Sequence, residues 1–187
     1  MIKQYQAIKA EHADSILMFR LGDFYEMFFD DAVKAAKILD ITLTTRNKND
    51  PTPIPLCGVP YHSVQPYLSK LLEHGEKIAI CEQVEDPAQA KGIVKREVTR
   101  VLTPGVVLDC DHLSAKQYNF VAALVFKNKE CGLAYADIST GIFHAGAFTD
   151  LNSCLEELSR IEPRELLLPV QAAEEISAFA KRLYPQL

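Results

Sequence analysis

The stretch "ILMFRLGDFYEMFFDDAVKAAKILD", residues 16–40, decides the fold of the first part of the chain. Its first half is a run of apolar and aromatic residues interrupted at Gly22, and this pattern predicts one or two strands. Its second half has Asp30 or Asp31 placed to cap a helix, apolar residues at helical spacing, and lysines on the other side. The stretch therefore predicts strand structure followed directly by a helix.

The segments around this stretch continue the alternation. Residues 1–15 carry spaced apolar positions typical of a short amphipathic helix, and residues 41–45 are typical of a strand. Residues 46–55, "RNKNDPTPIP", are rich in Asn, Asp and Pro, and we interpret them as a loop because proline cannot join a central strand ladder. "TPIPLCGVPYH", residues 52–62, predicts a rigid, proline-stiffened connection into the next helix, and the same segment could also be a loop that lies beside a bound nucleic acid.

The clearest helix in the sequence is "SVQPYLSKLLEHG", residues 63–75. Ser63 is placed as its N-cap, Pro66 lies in its first turn, and Gly75 is placed to end it. Its apolar residues form one stripe, which predicts a helix packed on a core.

Two further strand regions complete the first part of the chain. Residues 77–84 predict a buried strand, and residues 93–109 predict a pair of strands broken at "TPG". Alternating strands and helices favour an α/β (α+β) domain in which helices cover a mixed sheet. We assign this domain to residues 1–110.

The pattern changes after a polar linker at residues 111–118. Back-to-back strands in "NFVAALVFKN" and "LAYADISTGIFHAGAF" are followed by a helix, a buried strand and another helix. We therefore predict a second domain at residues 119–187. A central strand and one amphipathic helix usually need more packing partners, so we expect this domain to be truncated and the chain to be part of a longer protein.

The composition excludes several classes of protein. With 187 residues, 48% of them apolar, the chain can build a core, and its formal net charge of −5 argues against nucleic-acid binding through bulk electrostatics. The five cysteines form neither a CxxC nor a zinc-ligand pattern, so we interpret them as reduced thiols in the cytosol. We find no signal peptide and no uncharged apolar run of the roughly 18 residues that a membrane span needs.

In "GDFYEMF", residues 22–28, an acidic residue follows a phenylalanine by two positions. Residues i and i+2 of a strand project from the same face, so Phe24 and Glu26 would lie side by side while Tyr25 points the other way. Spacing alone favours an ordinary alternative, a charged residue at the rim of a half-buried strand. Gly22 and the additional charge of Asp23 instead place the pair at a turn, where side chains can be exposed.

Several motifs in the same order resemble the amino-terminal end of the MutS family of DNA mismatch-recognition proteins. They are "GDFYEMFFDDA", "PIPLCGVPYHSV", "AICEQVEDP" and "VTRVLTPG". The resemblance is collinear over residues 1–107, and the order of separate motifs makes it specific. From residue 119 onward, the strands around "ADISTGIF" resemble the connector domain of the family, an RNase H-like fold without catalytic duty, here incomplete.

This resemblance implies roles for five residues. The phenylalanine with which the family probes mismatches falls on Phe24, and its base-contacting glutamate falls on Glu26. Contacts to the DNA backbone are implied near Arg46, His62 and Arg96. The segment "KGIVKREVTR" around Arg96 is the one strongly basic patch in the sequence, although it is equally typical of a solvated strand.

Two rival functions compete with mismatch recognition. A nuclease would hold Mg²⁺ with a cluster of carboxylates, for which the candidates are Asp23, Glu26, Asp30, Asp31 and Asp137. Against this, the aspartates before the predicted helix suit its positive end. The second rival is a protein-interaction module whose connector half docks a MutL-type partner. Cys57 and His62 supply only two ligands, so they do not predict a metal site.

The resemblance also implies partners and cofactors for the intact protein. Its expected partners are duplex DNA with mismatches or small loops, a MutL-type protein and a second copy of itself, in a bacterial cytoplasm and without membrane contact. The ATP and Mg²⁺ that the family uses bind elsewhere, because no GxxxxGK[ST] phosphate loop occurs in this sequence. We therefore expect a binding segment with no catalytic residues, no metal and no cofactor of its own.

Overall fold

The computed structural model describes residues 1–47, 52–85, 92–106, 118–127 and 130–170. The chain divides into two compact units, Met1–Leu102 and Thr103–Leu187. The predicted boundary at residue 110 and most of the predicted linker 111–118 fall outside the described residues, so that division of the chain stays a prediction.

The first unit is a mixed sheet covered by helices, as predicted. Its elements are α1 (Ile2–Glu11), β1 (Ser15–Leu21), β2 (Phe24–Phe28), α2 (Phe29–Leu39), β3 (Thr44–Arg46), β4 (Ile54–Pro60), a 3-10 turn (Tyr61–Ser63), α3 (Gln65–Glu73), β5 (Lys77–Gln83) and β6 (Arg96–Leu102). The described strands form one sheet in the order β3-β4-β2-β1-β5-β6. Strands β1 and β5 run parallel, and the other neighbours are antiparallel.

Each face of this sheet has its own helical cover. Tyr5 of α1 is buried against Leu17, Phe19 and Phe28 on one face, which confirms the predicted amphipathic helix at the start of the chain. Alternate residues of the same strands point to the other face, where α2 and α3 bury their apolar sides. Burial at about 25 cal/mol per Å² of apolar surface makes this packing the main source of stability.

The predicted break at Gly22 is a tight hairpin. Leu21, the last residue of β1, pairs with Phe24, the first residue of β2, so only Gly22 and Asp23 form the turn. Gly22 has φ +58, a left-handed conformation that costs glycine little because it lacks a Cβ atom.

Both predicted helix caps in this unit are wrong. Helix α2 begins after Phe28 without a side-chain cap. Instead, the buried Asp31 accepts hydrogen bonds from the Tyr5 hydroxyl at 2.9 Å and the Leu17 amide at 3.0 Å, because these buried donors need an acceptor. Helix α3 begins after Val64, so Ser63 is not its cap. Pro66 does lie in its first turn, and Gly75, with φ +80, follows its end.

The proline-rich connection predicted at residues 52–62 is also wrong over most of its length. Residues 54–60 form β4, which lies between β3 and β2. Pro55 pairs only with Thr45 of β3, and Pro60 pairs only with Phe24 of β2. Each proline therefore lies where β4 has one neighbour, and a missing N–H is tolerated at such positions.

The second unit is a four-stranded sheet with one described helix. Its elements are β7 (Phe120–Lys127), β8 (Glu130–Asp137), β9 (Ile142–Phe148), α4 (Leu151–Ile161) and β10 (Glu165–Leu167), with strand order β10-β7-β8-β9. The predicted sequence of strands, helix and strand is confirmed. Helix α4 buries Cys154, Leu155 and Leu158 against one face of the sheet. The last predicted helix, residues 171–184, lies outside the described residues.

No helix in the described ranges is long and apolar enough to cross a membrane. The four described cysteines, Cys57, Cys81, Cys131 and Cys154, are free and buried.

Candidate nucleic-acid interface

Phe24 stands at the turn end of the β1–β2 hairpin with its ring accessible. Its side chain is 47% exposed, whereas the next aromatic residues along β2, Tyr25 and Phe28, are buried. Phe24 pairs with Leu21 on one side and Pro60 on the other, so its backbone is held in the sheet. A large ring on a fixed backbone is thus presented to solvent.

Glu26 shares the face of Phe24, as the spacing predicts. Strand β2 alternates, so Phe24, Glu26 and Phe28 point to the α1 side while Tyr25 and Met27 point to the other. Phe28 lies under α1, but the exposure of Phe24 shows that the cover ends before the turn is reached. The pair therefore occupies the open end of an otherwise covered face.

The carboxylate of Glu26 is only partly satisfied. Its side chain is 25% exposed, and Arg46 Nη1 lies 3.9 Å from Oε2, beyond hydrogen-bond distance. Within the described residues, Oε2 is buried without a hydrogen-bond partner. Burial raises the pKa of this carboxyl above its ordinary value, and Arg46 partly offsets the effect. The free protein thus holds a carboxylate that a suitable donor could stabilise.

A glycine opposite Glu26 leaves room for this arrangement. Gly58 of β4 pairs with Glu26, and a Cβ atom there would lie 3.4 Å from the Glu26 Cγ atom and 3.3 Å from the Tyr25 carbonyl oxygen. The distance to the Tyr25 oxygen is tighter than ordinary van der Waals contact, and the distance to Glu26 Cγ is at its short limit, so a side chain at this position would press on the Tyr25 backbone and on Glu26.

The two other predicted backbone contacts, Arg46 and His62, are both exposed. Arg46 ends the edge strand β3 and pairs with Ile54, at the end of β4 away from Pro60 and Phe24, but its side chain, 43% exposed, extends toward Glu26. His62 is exposed in the 3-10 turn that follows β4, with its ring 3.6 Å from that of Tyr61. Both can present a polar or charged group to a ligand that reaches Phe24.

Arg96 has a different environment from the one predicted. It is buried, and its guanidinium donates to the carbonyl oxygens of Arg20 at 2.7 Å and Val94 at 2.8 Å and to Gln4 Oε1 at 3.2 Å. It also lies over the Phe19 ring at 5.0 Å. These contacts tie β6 to α1 and β1. A contact between Arg96 and DNA stays a prediction, and the free protein does not favour it.

The basic patch predicted around Arg96 is not one surface. A bulge in β6 shifts the register between Ile80 and Cys81, so that Arg100 pairs with Ile80 and Arg96 with Gln83. Paired residues share a face and neighbours alternate, so the two arginines point to opposite faces. In addition, the exposed Lys95 forms an ion pair with Glu97. Lys91, the other basic residue of the patch, lies outside the described residues.

Behind the Phe24 face lies a polar cluster that the sequence analysis missed. The guanidinium of Arg20 stacks on the Tyr61 ring, with Cζ 3.3 Å from the ring centroid, and Nη1 lies 3.5 Å from Glu82 Oε2. The Tyr25 hydroxyl donates to Glu82 Oε1. The available signal was Arg20 itself, a single charge inside the apolar run "ILMFRL", because a charged residue in a buried strand requires partners.

The carboxylates proposed for a nuclease do not gather. Asp31 is engaged by Tyr5, Lys9 and the Leu17 amide, while Asp137 accepts hydrogen bonds from its own turn in the second unit. Over the ranges that the structure describes, no three His, Cys, Asp or Glu residues are placed to hold a metal ion.

Two family descriptions match the chain along most of its length. MutS domain I matches residues 1–111, and MutS domain II matches residues 119–184.

Curated relatives named DNA mismatch repair protein MutS are similar over nearly the whole chain. The protein of Desulfatibacillum aliphaticivorans is 55% identical over 188 residues, covering 100% of this chain and 21% of the relative. That of Myxococcus xanthus is 51% identical, covering 98% and 21%, and that of Staphylococcus epidermidis is 48% identical, covering 94% and 20%. The chain thus spans about a fifth of the length of these relatives.

Proposed function

The chain belongs to the MutS family of DNA mismatch repair proteins, and on that premise we propose that its first unit recognises mismatched or unpaired bases in duplex DNA. Phe24 is the wedge that enters the base stack, and Glu26 contacts the displaced base. The observation that carries this proposal is the exposed Phe24 ring beside the incompletely paired Glu26 carboxylate, both on one strand of a rigid sheet.

The preference for mismatches follows from the energy of unstacking. A side chain inserted between bases must separate them at a cost of a few kcal/mol per step, and this cost is lower where the bases pair badly. An aromatic ring recovers roughly 1–3 kcal/mol by stacking on a base. At a matched step the cost of unstacking exceeds the gain from stacking, so Phe24 stays out of the duplex. At a mismatch the cost is lower and comes close to the gain.

Glu26 increases this difference. A carboxylate brought near phosphates is repelled at every site along the duplex, so it weakens binding to matched DNA. Where a displaced base offers a hydrogen-bond donor, the buried Oε2 atom gains the partner that it lacks in the free protein. Nearby phosphates would raise the Glu26 pKa further, so that the carboxyl group could share a proton with a base nitrogen.

Arg46 and His62 are placed to contact phosphates flanking the wedge. Both are exposed: His62 follows β4 at the Phe24 end of the sheet, and the side chain of Arg46 extends from β3 toward Glu26. Arg46 can exchange its loose ion pair with Glu26 for a bidentate contact to phosphate. Such contacts position the protein on the duplex without reading its sequence.

The relatives are about five times as long as this chain, and their other functions would involve segments outside it. We propose that ATP and Mg²⁺ binding, dimerisation and most of the DNA grip are supplied by other parts of a full-length MutS protein in a bacterial cytoplasm. The net charge of −5 agrees with this division of labour, and the chain alone should bind DNA weakly. The second unit is the proposed docking region for a MutL-type partner.

The test is a Phe24→Ala change in a full-length MutS protein that carries this segment. Kd values for a matched duplex and for the same duplex with one mismatch are compared at one salt concentration. We expect the mismatch preference to fall by roughly fivefold to 150-fold, since the lost stacking is worth roughly 1–3 kcal/mol. Binding to matched DNA should be retained.

Phe143→Ala is the matched control, because Phe143 is also an exposed strand phenylalanine, 68% accessible, but lies in the second unit. It should leave the preference unchanged. An undiminished preference in Phe24→Ala would refute the wedge, and an equal loss in both variants would show that the effect is not specific to Phe24.

A further inference from the structure

We propose that Arg20 is a positioning residue that fixes the Phe24 turn from the reverse side of the sheet, so that the ring can act as a wedge. The proposal rests on the proposed function of Phe24 and assigns part of that function to a residue that faces away from the DNA side.

The contacts of Arg20 converge from separate elements. Its Nε atom donates to the carbonyl oxygen of Gly22 in the hairpin turn. Its guanidinium stacks on Tyr61 of the 3-10 turn and lies 3.5 Å from Glu82 of β5. One planar group therefore joins the turn before Phe24, the turn containing His62, and strand β5.

The cluster lies directly behind the proposed site. Arg20 pairs with Tyr25, and both point away from the face that carries Phe24 and Glu26. The Tyr25 hydroxyl donates to Glu82, which also holds Arg20. The two turns are joined as well, because the Tyr61 amide donates to the Asp23 carbonyl oxygen at 2.9 Å. Movement of the hairpin turn would break several of these contacts together.

A fixed turn matters because the net free-energy gain from wedge insertion is small. If the ring must be ordered at the moment of insertion, the loss of conformational freedom subtracts from the stacking gained, whereas a preorganised ring avoids that loss. Arginine suits the task because its planar fork can stack on an aromatic ring while donating in several directions. Lysine keeps the charge but cannot hold this geometry.

A direct role of Arg20 in DNA binding would give a different signature. Its side chain is only 17% exposed and is occupied by Gly22, Tyr61 and Glu82. If Arg20 contacted a phosphate, a neutral substitution such as Arg20→Gln would weaken binding to all duplexes alike and lower the salt dependence of binding by about one phosphate, whereas Arg20→Lys would keep the charge. A positioning role should affect only the mismatch preference.

The experiment compares Arg20→Lys and Arg20→Gln with the unmodified full-length protein. The readouts are Kd for matched and mismatched duplexes, the salt dependence of Kd, the thermal midpoint, and the fluorescence of 2-aminopurine placed beside the mismatch as a report of unstacking. We expect the mismatch preference to fall about fivefold to tenfold with a smaller 2-aminopurine signal, while matched binding and its salt dependence are kept.

Two variants of Tyr61 supply an internal check. Tyr61→Phe keeps the ring under Arg20 and should behave like the unmodified protein, whereas Tyr61→Leu should repeat the loss seen in Arg20→Lys. Arg160→Lys is the matched control, because Arg160 also contacts a glutamate and a tyrosine, Glu157 and Tyr135, but in the second unit.

The proposal is overturned if Arg20→Lys keeps the mismatch preference, or if the loss of preference merely follows the unfolded fraction. It is also overturned if Arg20→Gln weakens binding to matched and mismatched duplexes equally and lowers the salt dependence. The failure of the wedge itself is recognised separately, since Phe24→Ala would then keep the preference too. A normal Arg20→Lys beside a defective Phe24→Ala refutes only the role of Arg20.

Discussion

Each unit contains a strand carboxylate, Glu26 in the first and Asp137 in the second, and the two differ in their hydrogen-bond partners. Asp137, at the end of β8, is buried and accepts hydrogen bonds from the Asn119 amide at 3.0 Å, the Ser139 amide at 2.9 Å and the Ser139 hydroxyl at 2.6 Å. Glu26 has a buried oxygen with no hydrogen-bond partner among the described residues.

The pKa of each carboxyl follows from these partners. Burial raises the pKa of Asp137, but the hydrogen bonds from Ser139, Asn119 and Thr140 outweigh it and hold the value below the ordinary one. For Glu26, burial dominates over the attraction of Arg46, so its pKa is raised. A carboxylate whose oxygens accept several hydrogen bonds stabilises its own turn, while a carboxylate with an oxygen that accepts none is available to a ligand.

The largest effect that tests this comparison is expected at Asp137. Replacement by alanine removes the buried carboxylate and the part-buried hydrogen bonds that it accepts from Asn119, Ser139 and Thr140, so the free energy of unfolding should fall by about 3 kcal/mol. Urea denaturation followed by circular dichroism measures the loss. Asp150→Ala is the matched control, because Asp150 caps α4 with a hydrogen bond from the Ser153 amide but is exposed, and it should cost about 1 kcal/mol. Equal losses would contradict the assigned difference.

An intermediate effect is expected at Gly58, which makes room for Glu26. Gly58→Ala should lower the free energy of unfolding by about 1 kcal/mol, because the new methyl group presses on Glu26 and Tyr25. In a double-mutant cycle, Glu26→Ala should relieve part of this loss. Gly146→Ala is the control, since its nearest neighbour would lie at 3.8 Å, an ordinary contact. A fully additive cycle would refute the proposed crowding of Glu26.

The smallest effect is expected for Glu26→Gln. Because the folded-state pKa is raised, the folded protein takes up a proton at higher pH than the unfolded chain, and stability rises as pH falls through that folded value toward the ordinary 4.5. The glutamine variant lacks this dependence. It should therefore be more stable at pH 7, by less than about 1 kcal/mol, with a difference that shrinks as the medium becomes acidic. An advantage that grew on acidification would contradict the raised pKa.

Sequence patterns succeeded where one local cause dominated. The amphipathic spacing around Tyr5, the glycine at position 22 and the proline in the first turn of α3 are confirmed. The exposure of Phe24 and its alternation with Tyr25 and Glu26 also follow from strand periodicity next to a turn. Their proposed action on DNA is a separate matter that the binding experiments decide.

The same patterns failed where distant residues compete. Asp31 looked like a helix cap, but a buried hydroxyl and a strand amide claimed its oxygens. Arg96 was predicted to be part of a basic patch, but its guanidinium is held by backbone carbonyl oxygens and lies over the Phe19 ring. A bulge in β6 turns Arg100 to the other face of the sheet. Single-residue propensity contains no information on which of these partners will be near.

The sequence by itself determined the family, the mixed α and β character, and the neighbourhood of a phenylalanine and a glutamate on one strand face, because periodicity and motif order are local properties of a chain. Only the tertiary structure decided that prolines could lie in β4, that Arg20 braces the Phe24 turn from behind, and that a Glu26 oxygen has no hydrogen-bond partner among the described residues. These features depend on which strands become neighbours, and that is settled by packing over long sequence separations.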